Sequence, residues 1–306
     1  MPTAAATIRD LLTSGHRDEA LQRAEHELRT NPGDPELLAL HVDCLEAVGQ
    51  FERALTLALA LLERDPDQPG LALHARVLSE QMQPPAYGST DPAARPYGSE
   101  LPPELLLRMQ QAVHHQRYRG IQFVKSPFDQ AIYQQLVGAA RPRTVIEIGS
   151  KAGGSGLFFG DLLRNNEIDG QVLSYDLVPV EGVAHPLVSF RRGNGRMLGE
   201  ILPRAVVDAL PRPLLVIEDA DHSYETTGAV LDHFHPLLQP GDWLVAEDGN
   251  LSDMYPAAFE DGCSGPHRAL REFFARHGAD YRVAAEYCDL YAYNATTASN
   301  GILERR

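Results

Sequence analysis

VIEIGSKAGGSG, residues 145–156, is the stretch that decides the fold. A short β-branched run ends in a glycine-rich turn, the arrangement by which a buried strand presents a ligand to the N-terminus of the following helix. Working outward, short apolar runs alternate with helical segments from about residue 104 to the end. That alternation predicts a parallel sheet with crossover helices. The expected strands are 143–149, 172–178, 188–194, 214–220 and 242–249. Two more, 281–287 and 301–305, are expected to form an antiparallel edge. Helices are expected at 104–118, 127–140, 224–238 and 266–277.

Glu147, Gly149, Gly153 and Gly154 are spaced ExGxxxGG, whereas a dinucleotide turn reads GxGxxG, so a pyrophosphate cradle is poorly matched. S-adenosylmethionine, a zwitterion carrying a sulfonium, fits this turn better, with Ser150 in the same loop as a further contact. Asp176 closes the second strand, where a carboxylate can accept from both ribose hydroxyls. Asn194, closing the third, is expected near the adenine.

A second constellation lies further on. The fourth strand runs into EDADHSYE and the fifth into AEDGN, so Asp219, Glu247 and Asp248 meet at one rim if those strands are neighbours. Crowded carboxylates repel unless a cation neutralises them, and hard oxygen ligands select Mg²⁺, Mn²⁺ or Ca²⁺ over zinc. The plainer alternative is that they are strand-end acids in water. His222, three residues past Asp219, is positioned as a general base toward an acceptor hydroxyl acidified by the cation.

On YRGIQFVKSPFDQAIYQQL, VIEIGSKAGGSG, IEDADHSY, GDWLVAEDG, GPHRALREFF and NGILER, residues 118–306 resemble the cephalosporin-hydroxylase-like methyltransferases. That group includes metal-dependent O-methyltransferases of macrolide sugars. The resemblance implies a class I methyltransferase Rossmann-like sheet with helices on both faces. It also implies that Asp219, Glu247 and Asp248 hold Mg²⁺ (or Mn²⁺), that His222 is the base, and that Glu147, Gly149, Ser155 and Asp176 line the cofactor site. Asp221 departs from the family pattern, which often has a glycine in that segment. In the loop 250–265, Tyr255 and Phe259 offer apolar faces to a substrate, and helix 104–118 with His114, His115 and Tyr118 is a candidate second wall. Arg117 and Arg119 read as solvated charges.

Residues 15–36 align without a gap onto 49–70, an offset of 34 that superimposes Gly15 on Gly49, Ala20 on Ala54, Ala24 on Ala58 and Pro32 on Pro66. This resembles tetratricopeptide repeats. The expected organisation is an all-α repeat domain at 1–82, a Pro/Gly-rich linker at 83–103 and the α/β domain at 104–306. The repeats serve as an oligomerisation arm, giving a homo-oligomer, or as a protein-binding groove.

The 306 residues carry a formal net charge of −15, which repels a nucleic-acid backbone, and 43% hydrophobic residues with no run near the roughly 20 that span a membrane. The first fifteen residues lack the features of a secretory signal, which suggests a cytoplasmic protein. Cys44, Cys263 and Cys288 are odd in number and widely spaced, arguing against a disulfide framework or thiolate metal site. The expectation is an O-methyltransferase using S-adenosylmethionine and Mg²⁺ on a hydroxyl of a small molecule, such as the sugar of a glycosylated natural product or a nucleotide sugar. The alternative is an adaptor with a degenerate methyltransferase-like half. An oxidoreductase lacks both the 2-His-1-carboxylate spacing and the GxGxxG turn.

Overall fold

The computed structural model describes residues 2–83, 86–259 and 263–306 and divides into two compact units, Met1–Ala86 and Tyr87–Arg306. The first holds α1 (Ala4–Thr13), α2 (Arg17–Thr30), α3 (Pro35–Ala47), α4 (Phe51–Arg64) and α5 (Pro69–Met82). The 34-residue offset now relates α2 to α4 and α3 to α5. Gly15 and Gly49 occupy the turns after α1 and α3 at φ +83° and +78°, a left-handed conformation that glycine adopts without a Cβ penalty. Ala20, Ala24, Ala54 and Ala58 are fully buried, so the small side chains lie at the contacts between helices.

The second unit begins with α6 (Pro103–Val113) and a hairpin, β1 (Arg117–Tyr118) and β2 (Ile121–Gln122), followed by α7 (Pro127–Ala140), β3 (Thr144–Ile148) and α8 (Gly154–Asn165). It continues through β4 (Gln171–Asp176), β5 (Val188–Arg192), α9 (Leu198–Ile201), α10 (Arg204–Asp208), β6 (Leu214–Glu218), α11 (Tyr224–Phe234) and β7 (Trp243–Ala246). It ends with α12 (Leu251–Met254), α13 (Gly265–His277), β8 (Tyr281–Val283), α14 (Ala285–Cys288) and β9 (Ile302–Arg305). The sheet order is β5-β4-β3-β6-β7-β9-β8. Strands β3 to β7 are parallel, and β3 and β6 are buried at every residue, as a sheet covered on both faces requires. The chain runs outward from β3 to β5 and then returns to β6 beside β3. The crevice at that switch point is where doubly wound sheets bind ligands.

The expected antiparallel edge is present: β9 pairs antiparallel with β8 and also with β7, so β8, at the edge, is parallel to β7. Other expectations are corrected. The helix expected over 104–118 stops at Val113, because Arg119 (φ +52°) and Gly120 (φ +83°) form the turn of the β1–β2 hairpin. The segment 83–103 is no free linker over its described part, Pro84 and Pro85 lying outside the described residues. Its Arg95 is buried and pairs with Asp289 through Nη2 at 2.6 Å and Nη1 at 3.0 Å, while Nε donates to Asn300 at 2.6 Å. Thr90 accepts a hydrogen bond from the Val283 backbone at 3.0 Å. No helix among the described residues is long and apolar enough to cross a membrane.

Candidate active site

The glycine turn after β3 is shaped by close approach to β6. Gly149 has φ +115°, and a Cβ on it would lie 1.8 Å from the carbonyl oxygen of Asp219; one on Gly154 would lie 2.2 Å from that of Gln122. Asp176 straps the turn to β4, its Oδ2 accepting the Lys151 N–H at 2.7 Å and its Oδ1 the Val178 N–H at 3.1 Å. Beneath the turn, Ser150 and Ser174 share a hydrogen bond of 2.5 Å, and Ser174 donates in turn to Glu147. Burial raises the Glu147 pKa, partly offset by Lys125 and by Ser155 and Ser174.

Outside the carboxyl ends of the strands lies a cavity of about 850 Å³, lined by Gly149, Ser150, Ser155, Asp176 and Asn194 on one side and by Asp219, His222, Glu247 and Asp248 on the other. Asn194 caps the short turn that follows β5, its Oδ1 accepting the Arg196 N–H at 2.9 Å. Glu147 and Gly153 do not line the cavity: Glu147 is fully buried in β3 and positions Ser150 through Ser174, and Gly153 packs against Val180 and Phe190. Neither Tyr255 nor Phe259 lines it, and the loop that carries them includes Glu260, Asp261 and Gly262, which lie outside the described residues. His114 does line it, with Gln110 and Val113 of α6, whereas the Tyr118 hydroxyl and Arg119 turn to Asp161 at 2.8 and 3.4 Å.

The three acids converge because β6 and β7 pair directly, with Glu218 opposite Ala246. Asp219, Glu247 and Asp248 all follow the last strand residues, so the strict alternation of a strand no longer separates Glu247 from Asp248. Asp248 (φ +58°) and His222 (φ +57°) both occupy the left-handed region, and His222 Nδ1 lies 2.6 Å from Asp248 Oδ2. Asp219, His222 and Asp248 each bring one ligand atom within 4.8 Å of the others. Glu247 faces elsewhere, accepting from the Tyr133 hydroxyl at 2.5 Å and from the Lys125 ammonium.

Lys125 is the residue that sequence reasoning missed. Its side chain is 1% exposed, and Nζ pairs with Asp219 Oδ2 at 2.6 Å and with Glu247. Burial alone would push the Lys125 pKa down, but Asp219, Glu247 and Glu147 outweigh it and hold the ammonium above its ordinary value. Asp219 is pushed well up by burial and by the neighbouring Glu247 and Asp248, against the opposing pull of Lys125; Glu247 is also raised by burial. Asp248 moves down despite burial because His222 donates to it, and that same bond raises His222. Asp221, the departure noted above, pairs with Arg196 at 3.1 Å. Burial of Asp221 is outweighed by hydrogen bonds from Ser223 and Thr226, and its pKa falls to about 2.

A family model described as Rhamnosyl O-methyltransferase/CmcI matches residues 110–306, and a tetratricopeptide-repeat model matches residues 11–77. The rhamnosyl O-methyltransferase of Mycobacterium leprae (strain TN) is 31% identical over 196 residues, covering 62% of this chain and 82% of that protein. That of Mycobacterium tuberculosis (strain ATCC 25618 / H37Rv) is 30% identical over 194 residues, covering 61% and 77%. Among solved structures, an apo-structure of CmcI-N160 superposes with a TM-score of 0.49 at 22% identity, covering 75% of this chain and 94% of that chain. MycE methyltransferase from the mycinamycin biosynthetic pathway, in complex with Mg, SAH and mycinamycin VI, superposes with a TM-score of 0.38 at 21% identity, covering 48% and 43%.

Proposed function

The chain belongs to the rhamnosyl O-methyltransferase/CmcI family, and from that membership and the geometry of its rim we propose that it methylates a sugar hydroxyl of a glycosylated small molecule. S-adenosylmethionine, when bound, supplies an electrophilic methyl group, and a divalent cation such as Mg²⁺ supplies positive charge that binds and acidifies neighbouring hydroxyls. The residues present fit both. The glycines at 149 and 154 leave room that a Cβ would fill, Asp176 offers a carboxylate to a ribose, and Asn194, which lines the same cavity, is assigned to the adenine. Asp219, Glu247 and Asp248 are the hard oxygen donors for the cation. Lys125 takes Asp219 Oδ2 and Glu247 Oε1, and His222 takes Asp248 Oδ2, leaving Asp219 Oδ1 and Asp248 Oδ1 for the cation, with Glu247 Oε2 beside the Thr297 hydroxyl at 3.4 Å.

His222 is the base. With Nδ1 held by Asp248, its Nε2 is the atom left to take the proton of the acceptor hydroxyl, and Asp248 stabilises the imidazolium that results. Gln110 and His114 line the wall of the same cavity, where they can order an acceptor. The observation that carries this reading is the convergence of Asp219, His222 and Asp248 beside the glycine turn. An adaptor with a degenerate catalytic half is disfavoured by the completeness of that rim. We place the protein in the cytoplasm and assign the helical repeats to self-assembly, with the groove around Arg17, Asp43, Glu46 and Phe51 as the contact for a second copy or protein partner.

The test is transfer of isotopically labelled methyl from S-adenosylmethionine to a panel of rhamnosylated and deoxysugar-bearing acceptors, with and without chelator. Label transfer that needs Mg²⁺ supports the proposal. Binding of S-adenosylmethionine with no transfer to any hydroxyl acceptor, or transfer unaffected by chelator, counts against it.

A further inference from the structure

The opposite end of the sheet holds a second cluster of metal-ligating side chains. Because β8 runs parallel to β7, Asp280, just before β8, lies at the amino end of the sheet, away from the carboxyl-end rim that holds Asp219. There, among the described residues, His235, His277 and Asp280 each present a ligand atom within 4.8 Å of the other two. Three separate elements deliver them: His235 follows α11 as its cap, His277 ends α13, and Asp280 belongs to the short turn Gly278–Asp280.

We propose that His235, His277 and Asp280 form a zinc site, with solvent completing the coordination, that clamps the ends of α11 and α13 to strand β8. The imidazole rings stack with centroids 3.7 Å apart and planes 27° from parallel, and they must turn apart for their in-plane lone pairs to meet at one ion. His235 Nδ1 lies 3.3 Å from the buried Tyr281 hydroxyl, which can fix the ring and leave Nε2 as the ligating atom, as an outer-shell partner does for a metal-bound histidine. That Nε2 lies 3.8 Å from Asp280 Oδ2, beyond hydrogen-bonding distance. Ligand atoms on a tetrahedral zinc with bonds of about 2.0–2.1 Å stand about 3.3 Å apart, so side-chain rotation must draw together three donors that now lie within 4.8 Å of one another.

Electrostatics agree. Two helices of 11 and 13 residues point their carboxyl ends at the cluster, and a helix C-terminus favours a cation. Arg305 Nη1 now pairs with Asp280 Oδ2 at 3.2 Å, leaving Oδ1 to a metal, and Asp232 is paired with Arg276 at 2.8 Å. Nitrogen donors separate this site from the catalytic rim: imidazole selects zinc, whereas the carboxylates at Asp219 and Asp248 select Mg²⁺.

The experiment is calorimetric titration of the full chain with zinc in excess Mg²⁺, which fills the catalytic carboxylates, on wild type, His235→Gln/His277→Gln and Asp219→Asn, with a thermal melt of each. Wild type and Asp219→Asn are expected to take up one zinc and melt higher with it. The double glutamine variant, whose substituted positions are partly exposed and whose fold is checked by circular dichroism, is expected to bind roughly 100-fold more weakly or not at all, with no zinc-dependent rise. Unchanged zinc binding by the double variant overturns the proposal, as does loss of the zinc in Asp219→Asn, which would place it at the catalytic rim.

Discussion

Replacing Lys125 with Met keeps most of the apolar stem and deletes the ammonium that joins Asp219 to Glu247. The lysine side chain is 1% exposed and Glu247 is 3% exposed, so water cannot take over the lost charge. Removing one partner of a buried pair costs about 3–5 kcal/mol, because the remaining charge is left uncompensated. Here two carboxylates are left, with Asp248 adjacent. The Tyr133 hydroxyl still donates to Glu247 at 2.5 Å, and Asp219 can take up a proton, so the lower part of that range is expected. Trp243, the single tryptophan of the chain, lies buried in β7 and reports on this unit. Urea unfolding followed by its fluorescence in chelator should show a loss of about 3 kcal/mol, a fall in melting temperature of roughly 6–12 °C for a unit of this size. Added Mg²⁺ supplies the missing positive charge, so it should stabilise Lys125→Met more than wild type. A loss below about 1 kcal/mol in chelator would refute the reasoning, and so would equal stabilisation of both proteins by Mg²⁺.

His222→Ala should lower kcat by about 10²–10⁴-fold while leaving S-adenosylmethionine affinity within a factor of a few, measured by methyl transfer and calorimetry; full turnover would remove His222 from the mechanism. Gly149→Ala places a Cβ 1.8 Å from the Asp219 carbonyl and should cost at least about 3 kcal/mol. Gly182→Ala, also at positive φ but facing open space, should cost only about 1–2 kcal/mol by the same urea assay. His267 is buried, and burial depresses its pKa to about 4. The unfolded chain therefore binds more protons than the native one below pH ~6.5, and stability should fall by up to about 3 kcal/mol as the pH drops from ~6.5 to ~4. In His267→Gln that part of the slope should vanish.

Local structure is legible in the sequence because it depends on neighbours in the chain. A β-branched run followed by ExGxxxGG needs only nearest residues to specify a buried strand and an open turn, and the 34-residue repeat is visible as a pattern of Gly and Ala positions. The α2–α4 relation and β3 were legible in this way, whereas the meeting of Asp219 with Asp248 was legible only on the condition that their two strands are neighbours. What the linear order concealed is which charges are brought together by strands far apart in sequence. Lys125 lies 94 residues before Asp219 and 122 before Glu247, and a lone lysine carries no mark that it will be buried between them. The insertion of β9 ahead of β8, the anchoring of Arg95 on Asp289, and the division of Glu247 to Lys125 and Tyr133 while Asp219 and Asp248 gather with His222 were likewise decided by tertiary structure. Backbone preference is a property of a few consecutive residues. The partner of a buried charge is a property of the whole fold, because the energy of pairing it is set by what else has been removed from water around it.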